Sequence, residues 1–538
     1  MRPPRLALST PAGAGVALRR LARPRVPGRS RSFHAHPPSP VDGAHDPHNA
    51  LAHLAPPPSQ SQTHAGPSTG PLAGWSASVK ANLCTRDMPT TCGSAMLRDY
   101  TSPFDATVVQ RLRAAGAVVV GKTNCDEFGM GSANVHSLHG PVLNPAAPAA
   151  TALGHNEEGG RQRHRTYHEP RVAGGSSGGA AASVRAGLCR VALASDTGGS
   201  IRLPASYCGV WGLKPSYGLL SRWGLVAYAD SLDTVGILAR SCEDIRTTFD
   251  VLSEYDPKDP SAIPEETRRK AKEVADSALP RKGSLKGVRI GVPREYFPAE
   301  LEPQVVPCVQ RALARLRDAG ATLHSVSLPS TPQALSTYYV LASAEASSNL
   351  ARYDGVRYGH RSDDTAGIDD GSTHAYAATR SSGFGAEAQR RILLGTYALT
   401  ADAFDNYFLQ AQRTRLRIQH DFDSVLRLPS VLRASPGPAA RDAGVDVLLS
   451  PSSVRTAPTL ESMLPASDGA APPQGAAARA SPYVQDVLTV PASLAGLPAL
   501  SVPAGVAQDG WPVGVSLTTQ WGCEELLWRV GEALEPER

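Results

Sequence analysis

The chain has 538 residues, of which 54 are basic and 49 acidic, so its formal net charge is +5. Hydrophobic residues make up 41% of the sequence and charged residues 19%, a balance that excludes an intrinsically disordered chain. No run of 18 apolar residues occurs, so no transmembrane helix is expected. Taken without regard to position, the basic excess would favour a nucleic-acid-binding protein.

The first 33 residues differ in composition from the rest of the chain. They contain eight Arg, no Lys and no acidic residue, and Ser, Ala and Leu fill much of the remainder. Arg-rich, acid-free N-termini are typical of mitochondrial transit peptides, and a GC-biased leader without targeting function is the alternative. Because eight of the 54 basic residues lie here, the remaining residues carry a formal charge of −3. The basicity therefore predicts import into the mitochondrial matrix rather than contact with nucleic acid.

The predicted elements begin after a Pro-, His- and Ser-rich stretch. Residues 34–70 predict a linker, so ordered structure is expected from near Leu72. A strand is predicted over 75–79, a helix over 105–115 and a buried strand over 117–121. The elements that follow are a helix at 178–187, a strand at 191–194, a helix at 240–252, a strand at 288–292, helices at 303–319 and 384–422, and strands at 446–449 and 499–503.

This alternation of strands and helices predicts one α/β domain over 71–535, with a mixed or largely parallel sheet. Three polar or Pro/Ala-rich stretches within it are predicted as insertions, at 146–171, 428–442 and 464–480. The first contains three His, but neither a Cys nor a regular element fixes their spacing, so a solvated insertion is favoured and no metal site is predicted. Translated intron sequence is another explanation of these stretches.

Eight cysteines occur without a CxxC pair and without zinc-ligand spacing, which predicts free and mostly buried thiols. A cysteine nucleophile would need a positioned His. No His lies between His168 and His324, so a nucleophile of this kind is disfavoured.

The most informative stretch is 172–204, which holds two Gly/Ser loops, GGSSGG at 174–179 and DTGGS at 196–200. A phosphate-binding P-loop is disfavoured because neither loop contains the required Lys. Residues 174–178 formally fit the GxSxG pattern of a nucleophile elbow. That elbow follows a buried strand, whereas the segment before these residues is polar, so the elbow is the weaker alternative.

The third interpretation is a serine nucleophile at Ser200. A predicted buried strand leads directly into DTGGS, and the small residues there allow successive backbone N–H groups to turn inward. The amides of Thr197, Gly198, Gly199 and Ser200 are therefore candidates for binding a developing oxyanion. Since no His is available in this region, the base is predicted to be a Lys whose burial lowers its pKa.

Lysine is scarce in this chain, with 8 Lys against 46 Arg. Arg does not lose its proton at accessible pH, so a base position must keep Lys. Five of the eight Lys lie in one polar stretch and are predicted to be solvated. Lys80, Lys122 and Lys214 remain, each in an apolar or Gly-flanked context. Lys80, at the end of a predicted strand, is the preferred base, and a structural ion pair is the alternative for each.

Four ordered blocks within residues 79–218 resemble those of the amidase signature family: VKANLCT, GKTNCDEFGMGS, GGSSGG and SDTGGSIRLPASYCGVWGLKPSYG. The resemblance implies an amidase-signature fold, an α/β fold whose mixed, mostly parallel sheet is covered by helices on both faces. It also implies a catalytic Lys, a Ser that follows a cis peptide bond, and a nucleophilic Ser. Matched block by block, Lys80 is the base, Ser176 the bridging Ser and Ser200 the nucleophile. The oxyanion hole stays predicted at Thr197, Gly198 and Gly199 from the small-residue loop.

Later stretches are similar to one branch of this family, the glutamine-hydrolysing subunits of tRNA-dependent amidotransferases, especially the mitochondrial ones. They include RWGLVAYADSLDTVGILAR at 222–240 and RRILLGTYAL at 390–399. In that branch an Arg and an Asp hold the charged ends of glutamine, which here implies Arg391 (less readily Arg390) and Asp486. A free amino acid does present a carboxylate suited to Arg and an ammonium suited to a carboxylate. Ordinary surface ion pairs are the alternative.

The branch resemblance also implies partners. A B subunit would receive ammonia from glutamine, and a small third subunit is expected. With ATP and Mg, the complex would convert Glu-tRNA(Gln) to Gln-tRNA(Gln), while this chain itself is expected to hold no cofactor and no metal and to contact no membrane. Two alternatives stay open. One is a stand-alone amidase of small amides, and the other is a scaffold subunit whose site has decayed through the 146–171 stretch, which directly precedes GGSSGG.

Overall fold

An eleven-stranded sheet organises the residues described by the computed structural model, which are 46–56, 69–147, 169–279, 283–363, 376–432, 443–464 and 482–535. The six predicted strands are all present, and five further strands were not predicted. In chain order the strands are β1 (Leu51–Leu54), β2 (Ser76–Lys80), β3 (Val118–Thr123), β4 (Val191–Asp196), β5 (Trp211–Lys214), β6 (Thr234–Ala239), β7 (Arg289–Pro293), β8 (Thr322–Val326), β9 (Val447–Pro451), β10 (Ala499–Val506) and β11 (Pro512–Thr518).

Helices connect and cover these strands. They are α1 (Thr107–Ala114), α2 (Gly178–Arg185), α3 (Arg202–Cys208), α4 (Cys242–Leu252), α5 (Glu265–Ala278), α6 (Val306–Asp318), α7 (Ala334–Asn349), α8 (Ala377–Gly383), α9 (Ala386–Ala398), α10 (Ala401–Phe404), α11 (Phe408–Val425), α12 (Leu460–Met463), α13 (Val490–Ala495) and α14 (Glu524–Glu532). Among these ranges no helix is long and apolar enough to cross a bilayer.

The helix predicted over 384–422 is wrong as a single element, because the chain forms α9, α10 and α11 there. Thr400 has extended backbone angles (φ −66°, ψ 151°) and is the N-cap of α10. The rings of Tyr397 and Tyr407 lie 5.6 Å apart, so the chain turns back on itself between the two longer helices. A Thr before an acidic first turn is a known start signal, and here it outweighs the continuous helical periodicity.

The sheet is mixed, with strand order β1-β3-β2-β4-β6-β5-β10-β11-β9-β7-β8. The expectation of a mostly parallel sheet is wrong, since six of the ten pairings are antiparallel. Parallel pairing is confined to β3-β2-β4 at one side and β9-β7-β8 at the other. Between them, strands such as β10 and β11 are joined by a short turn, which favours antiparallel pairing.

Strand β4 shows how both faces of the sheet are covered. Val191 and Leu193 belong to the large core cluster, whereas Ala192 and Ala194 belong to a second cluster together with the alanines of α2. Successive side chains of a strand point to opposite faces, so a strand buried along its whole length needs cover on both. The expectation of helices on both faces is confirmed, and the protein has the predicted α/β architecture.

Strand β1 corrects the predicted linker over 34–70 and the predicted domain start at residue 71. Leu51 pairs with Thr123 and Leu54 with Gly121, antiparallel to β3. The Asp46 carboxylate accepts a hydrogen bond of 2.8 Å from the Leu51 N–H. A four-residue strand among Pro-rich neighbours carries little periodic signal, and its partner lies far along the chain, so composition alone misassigned it.

The leader at 1–33 and most of the three predicted insertions lie outside the described residues. The first predicted insertion, 146–171, is too long at its C-terminal end, because Arg171 is part of the packed structure. Its guanidinium lies over the ring of Trp511 at 4.8 Å and donates to Asp509 Oδ2 at 2.8 Å. All eight cysteines are buried as free thiols, as predicted.

Candidate active site

Lys80 lies at the carboxyl end of β2 and is wholly buried. Its Nζ lies 2.8 Å from the Oγ of Ser176, 2.9 Å from that of Ser177 and 3.0 Å from that of Ser195. Burial lowers the pKa of Lys80, partly opposed by nearby acidic groups. A Lys with a lowered pKa and hydroxyl neighbours has the properties of a general base.

The three candidate lysines, Lys80, Lys122 and Lys214, are all buried, but they differ in the groups that they contact. Lys122 Nζ donates to the Leu83 carbonyl at 2.5 Å and to two Thr hydroxyls, and burial lowers its pKa to about 8. Lys214 Nζ donates to the Pro215 carbonyl at 3.0 Å, and burial lowers its pKa to about 7. Of the three, only Lys80 contacts serine side chains in the described structure.

The GGSSGG loop brings Ser176 to Lys80. The peptide bond between Gly175 and Ser176 is cis, as the family resemblance implies for Ser176 rather than Ser177. A Cβ on Gly175 would lie 2.2 Å from Asp126 Oδ2, so only glycine fits there. The Asp126 N–H in turn donates to the Ser176 carbonyl at 3.2 Å. The loop conformation therefore depends on close backbone packing, and α2 begins directly after it.

The DTGGS loop follows β4 and carries Ser200. The Ser177 N–H donates to the Ser200 carbonyl at 3.1 Å, which places the two serine loops side by side. Within the described residues, the backbone N–H groups of Thr197, Gly198, Gly199 and Ser200 donate to no protein acceptor. Such unpaired amides on a small-residue loop are the donors that an oxyanion hole needs.

A buried ion pair fixes this loop from behind. Arg202 Nη2 lies 2.9 Å from Asp196 Oδ1, and both side chains are almost completely buried. Arg202 also donates to the Thr489 carbonyl at 2.7 Å, and the Thr489 hydroxyl donates to the Gly198 carbonyl at 2.6 Å. These contacts connect the DTGGS loop to the segment that carries Asp486.

Arg391 and Asp486, the predicted binding pair, both contact one tyrosine. The Arg391 guanidinium lies over the Tyr339 ring at 5.1 Å, and the Tyr339 hydroxyl donates to Asp486 Oδ2 at 2.9 Å. Arg391 Nη1 also donates to the Tyr228 hydroxyl at 2.8 Å, and its Nε donates to Glu387 at 2.8 Å. Burial raises the pKa of Asp486 to about 7.

The structure distinguishes between Arg391 and its neighbour Arg390. The Arg391 side chain is 5% exposed, whereas that of Arg390 is 65% exposed. Both contact Glu387, but only Arg391 points into the protein. The burial of Arg391 therefore agrees with the expectation that it, rather than Arg390, contacts the substrate.

The serine centre and the Arg391 region are neighbours. A Cβ on Gly129 would lie 3.6 Å from Ser176 Oγ and 3.9 Å from the ring of Tyr228, which holds Arg391. A Cβ on Gly198 would lie 2.4 Å from Tyr338 Cζ, next to Tyr339. The predicted residues thus lie in one region, with Lys80 and serine hydroxyls at one end and a buried Arg and Asp at the other.

Sequence reasoning missed several residues of this site. Ser195 contacts Lys80, and Asn82 Nδ2 donates to Ser195 Oγ at 2.9 Å. Both lie inside blocks already quoted, but nothing in their spacing indicates that they face Lys80. Tyr228, Tyr339 and Glu387 surround Arg391; of these, only Glu387 had a local signal, because it precedes Arg391 by four residues on a helix.

A family model described as Amidase matches residues 42–154 and 157–528. The chain is 55% identical over 504 residues to the A subunit of the mitochondrial glutamyl-tRNA(Gln) amidotransferase of Mycosarcoma maydis. The match covers 92% of this chain and 89% of that protein. The chain is 43% identical over 464 residues to the corresponding subunit of the glutamyl-tRNA(Gln) amidotransferase of Microcystis aeruginosa, covering 86% of this chain and 83% of that protein.

Two solved structures are similar to this chain. The crystal structure of the same type of glutamyl-tRNA(Gln) amidotransferase subunit from Thermotoga maritima has a TM-score of 0.67 and 32% identity, covering 91% of this chain and 87% of that one. The structure of 6-aminohexanoate cyclic dimer hydrolase bound to substrate has a TM-score of 0.67 and 25% identity, covering 91% and 89%.

Proposed function

The chain belongs to the amidase family, and from this premise we propose that it is the glutaminase subunit of a tRNA-dependent amidotransferase. It hydrolyses the side-chain amide of glutamine and supplies ammonia for the conversion of Glu-tRNA(Gln) to Gln-tRNA(Gln) in mitochondrial translation. One observation carries the substrate assignment: a buried Arg391 and a buried Asp486 both contact Tyr339, beside the serine centre. That pair suits a free amino acid, which carries a carboxylate and an ammonium.

Lys80, Ser176 and Ser200 perform the chemistry in this proposal. Neutral Lys80 accepts a proton from Ser176 as Ser176 accepts one from Ser200, and Ser200 Oγ attacks the amide carbon of glutamine. The distance of 2.8 Å between Lys80 Nζ and Ser176 Oγ supports the first transfer. The amides of residues 197–200 stabilise the negative charge that develops on the amide oxygen.

The C–N bond then breaks. Ser176 returns a proton to the departing nitrogen and Lys80 restores the proton of Ser176, so that ammonia leaves and a γ-glutamyl ester remains on Ser200. Water attacks this ester by the same route, which releases glutamate and regenerates Ser200.

Substrate selection falls to the other end of the site. Arg391 binds the α-carboxylate, and ionised Asp486 binds the α-ammonium. Glu387 and Tyr228 already engage two nitrogens of Arg391, which holds its guanidinium in a fixed orientation. Because both groups are buried, their interactions with the ends of the substrate are stronger than they would be in water.

The relatives are named as one subunit of an amidotransferase and several as mitochondrial, so the chain works in a multi-subunit enzyme of mitochondria. We propose the matrix as its compartment, and a B subunit together with a small third subunit as its partners. The B subunit uses ATP with Mg to activate the tRNA-bound glutamate and receives the ammonia. This chain itself needs no metal and no cofactor for the hydrolysis.

The test is to purify the full chain from its own mitochondria with the subunits that accompany it. The complex should convert Glu-tRNA(Gln) to Gln-tRNA(Gln) in the presence of glutamine and ATP, and a complex carrying Ser200→Ala should do so only with added ammonium. A stand-alone amidase would purify without partners and would cleave small amides but not glutamine. If the chain is a scaffold without activity, the complex should convert Glu-tRNA(Gln) with added ammonium but not with glutamine.

A further inference from the structure

Two adjacent residues, Asp126 and Glu127, connect the serine loop with the helix that carries Arg391. Asp126 lies behind Ser176: its N–H donates to the Ser176 carbonyl at 3.2 Å. Its carboxylate accepts hydrogen bonds of 2.9 Å each from the N–H groups of Asn134 and His136. A backbone hydrogen bond therefore joins Ser176 to residue 126, and the Asp126 side chain is itself held by two backbone amides.

Glu127, the next residue, contacts the start of α9. Its Oε2 accepts a hydrogen bond of 2.8 Å from the N–H of Gly385, the N-cap residue of α9. Its Oε1 accepts one of 2.5 Å from the Ser94 hydroxyl. A carboxylate at a helix N-terminus interacts favourably with the helix dipole as well as with the unpaired N–H groups there.

The fit around this contact is tight. A Cβ on Gly385 would lie 2.7 Å from Glu127 Oε2, so a side chain at position 385 would displace the carboxylate. Phe128, the next residue, packs against Phe384 with ring centroids 5.7 Å apart. Residues 127 and 128 thus hold both residues that lead into α9.

Glu127 is buried, with 5% of its surface exposed, yet no basic side chain pairs with it among the described residues. Its partners are a hydroxyl and a backbone amide, and burial raises its pKa to about 7. Burying a carboxyl group without a cation is costly, so an apolar residue would serve stability better if packing were the only requirement. The contact with the start of α9 offers a functional reason for the acid.

We propose that Glu127 is a positioning residue, which fixes α9 relative to the catalytic serines so that Arg391 meets the α-carboxylate of the substrate. Arg391 follows Gly385 by six residues, about 9 Å along a helix axis, so a shift at the N-cap is passed directly to the guanidinium. The inference rests on the proposed glutamine hydrolysis and adds to it the residue that sets the distance between the reacting amide and the bound carboxylate.

The test compares two substrates of the native complex. Glutamine carries the α-carboxylate, whereas 4-aminobutanamide is the same molecule without it. Glu127→Ala should raise the KM for glutamine at least tenfold and leave its kcat within about twofold. The kinetic constants for 4-aminobutanamide should stay within twofold of those of the wild-type enzyme, which also shows that the variant is folded. Glu127→Gln keeps the shape and should give a smaller rise in the same direction.

Glu295 provides a matched control. It lies just after β7 and accepts hydrogen bonds from the Ser327 hydroxyl at 2.5 Å and the Leu328 N–H at 2.9 Å, so it has the same two kinds of donor as Glu127. Glu295→Ala should leave both KM values unchanged.

Three results would overturn the inference. An unchanged KM for glutamine in Glu127→Ala is one, and an equal loss with both substrates, as a merely structural role requires, is another. If the wild-type complex hydrolyses 4-aminobutanamide but not glutamine, the proposed function fails together with this inference. Either of the first two results, obtained with a wild-type complex active on glutamine, overturns the inference alone.

Discussion

The two ends of the site are built in different ways. At the catalytic end, which comprises β2 and the loops 174–179 and 196–200, close backbone packing determines the geometry. At the recognition end, which comprises Tyr228, α7, α9 and the segment 482–489, side-chain contacts determine it: Glu387 and Tyr228 hold Arg391, and Tyr339 holds Asp486. Changes at the catalytic end should therefore reduce the turnover of any amide. Changes at the recognition end should weaken the binding of glutamine alone.

The largest effect is expected from Lys80→Met, which removes the proposed base, whose Nζ contacts three serine hydroxyls. The kcat should fall by about a thousandfold with both glutamine and 4-aminobutanamide, in the range for loss of a general base. Steady-state ammonia release measures this.

Lys122→Met is the matched control, since Lys122 is equally buried but contacts only the Leu83 carbonyl and two Thr hydroxyls. It should lower the free energy of unfolding by about 1–3 kcal/mol, the cost of an unpaired buried acceptor, without changing kcat. Equal catalytic losses in both variants would contradict the assignment of Lys80.

Gly198→Ala tests whether the loop backbone binds the oxyanion. The added Cβ would lie 2.4 Å from Tyr338 Cζ and must displace the loop amides. The kcat should fall by about a hundredfold, as for loss of one oxyanion donor, with a smaller change in KM. A normal kcat in a folded variant would show that these amides do not contribute.

Substitutions at the recognition end separate the two charged groups of the substrate. Arg391→Lys should raise the KM for glutamine about tenfold to a hundredfold, the equivalent of about 1.5–3 kcal/mol for a charged hydrogen bond. It should leave 4-aminobutanamide unaffected. Asp486→Asn should raise the KM for glutamine by a similar factor. It should leave the KM for glutaramate, which lacks the ammonium, unchanged. If each variant affected all three substrates alike, the recognition end would be structural only.

The pH dependence of binding gives a smaller effect. Burial raises the pKa of Asp486 to about 7, so this carboxyl is mostly protonated below that pH and ionised above it. Since only the ionised form binds an ammonium, the KM for glutamine should fall as pH rises through 7, while the KM for glutaramate stays level. The same titration with Asp486→Asn should show no such step in the KM for glutamine, and a step that persists there would assign it to another group.

The smallest effect is expected from Arg390→Ala, the neighbour of the recognition Arg. Its side chain is 65% exposed and its ion pair with Glu387 lies at the surface, where such pairs contribute about 0–1 kcal/mol. The KM for glutamine should change by less than about fivefold. A loss matching that of Arg391→Lys would reverse the assignment of the two arginines.

The same division explains what could be predicted from the sequence. The predictions of Lys80 and Ser200 rest on local physical reasons, namely the scarcity of lysine and a small-residue loop that follows a buried strand. The contact of Lys80 with Ser195, and that of Tyr339 with Asp486, depend on how distant segments pack, and no local pattern marks them. The predictions of Ser176, Arg391 and Asp486 rest on the family resemblance.

The fold shows a similar limit. Buried strands such as β4 are predictable because continuous apolar runs are a local signal. β1 was missed, and the sheet was expected to be mostly parallel, because pairing partners and strand direction are set by contacts between segments far apart in the chain. The break at Thr400 has a local N-cap signal in the sequence, but the helical periodicity on either side of it favours one continuous helix.

The most direct test of the account is to look for the covalent intermediate. The native complex is mixed with glutamine, quenched in acid within a turnover and digested, and the peptide containing Ser200 is examined by mass spectrometry. The account predicts a γ-glutamyl ester on Ser200 that is absent from Ser200→Ala and from Lys80→Met. An ester on Ser176 or Ser177, or glutamine hydrolysis by Ser200→Ala at the wild-type rate, would contradict it.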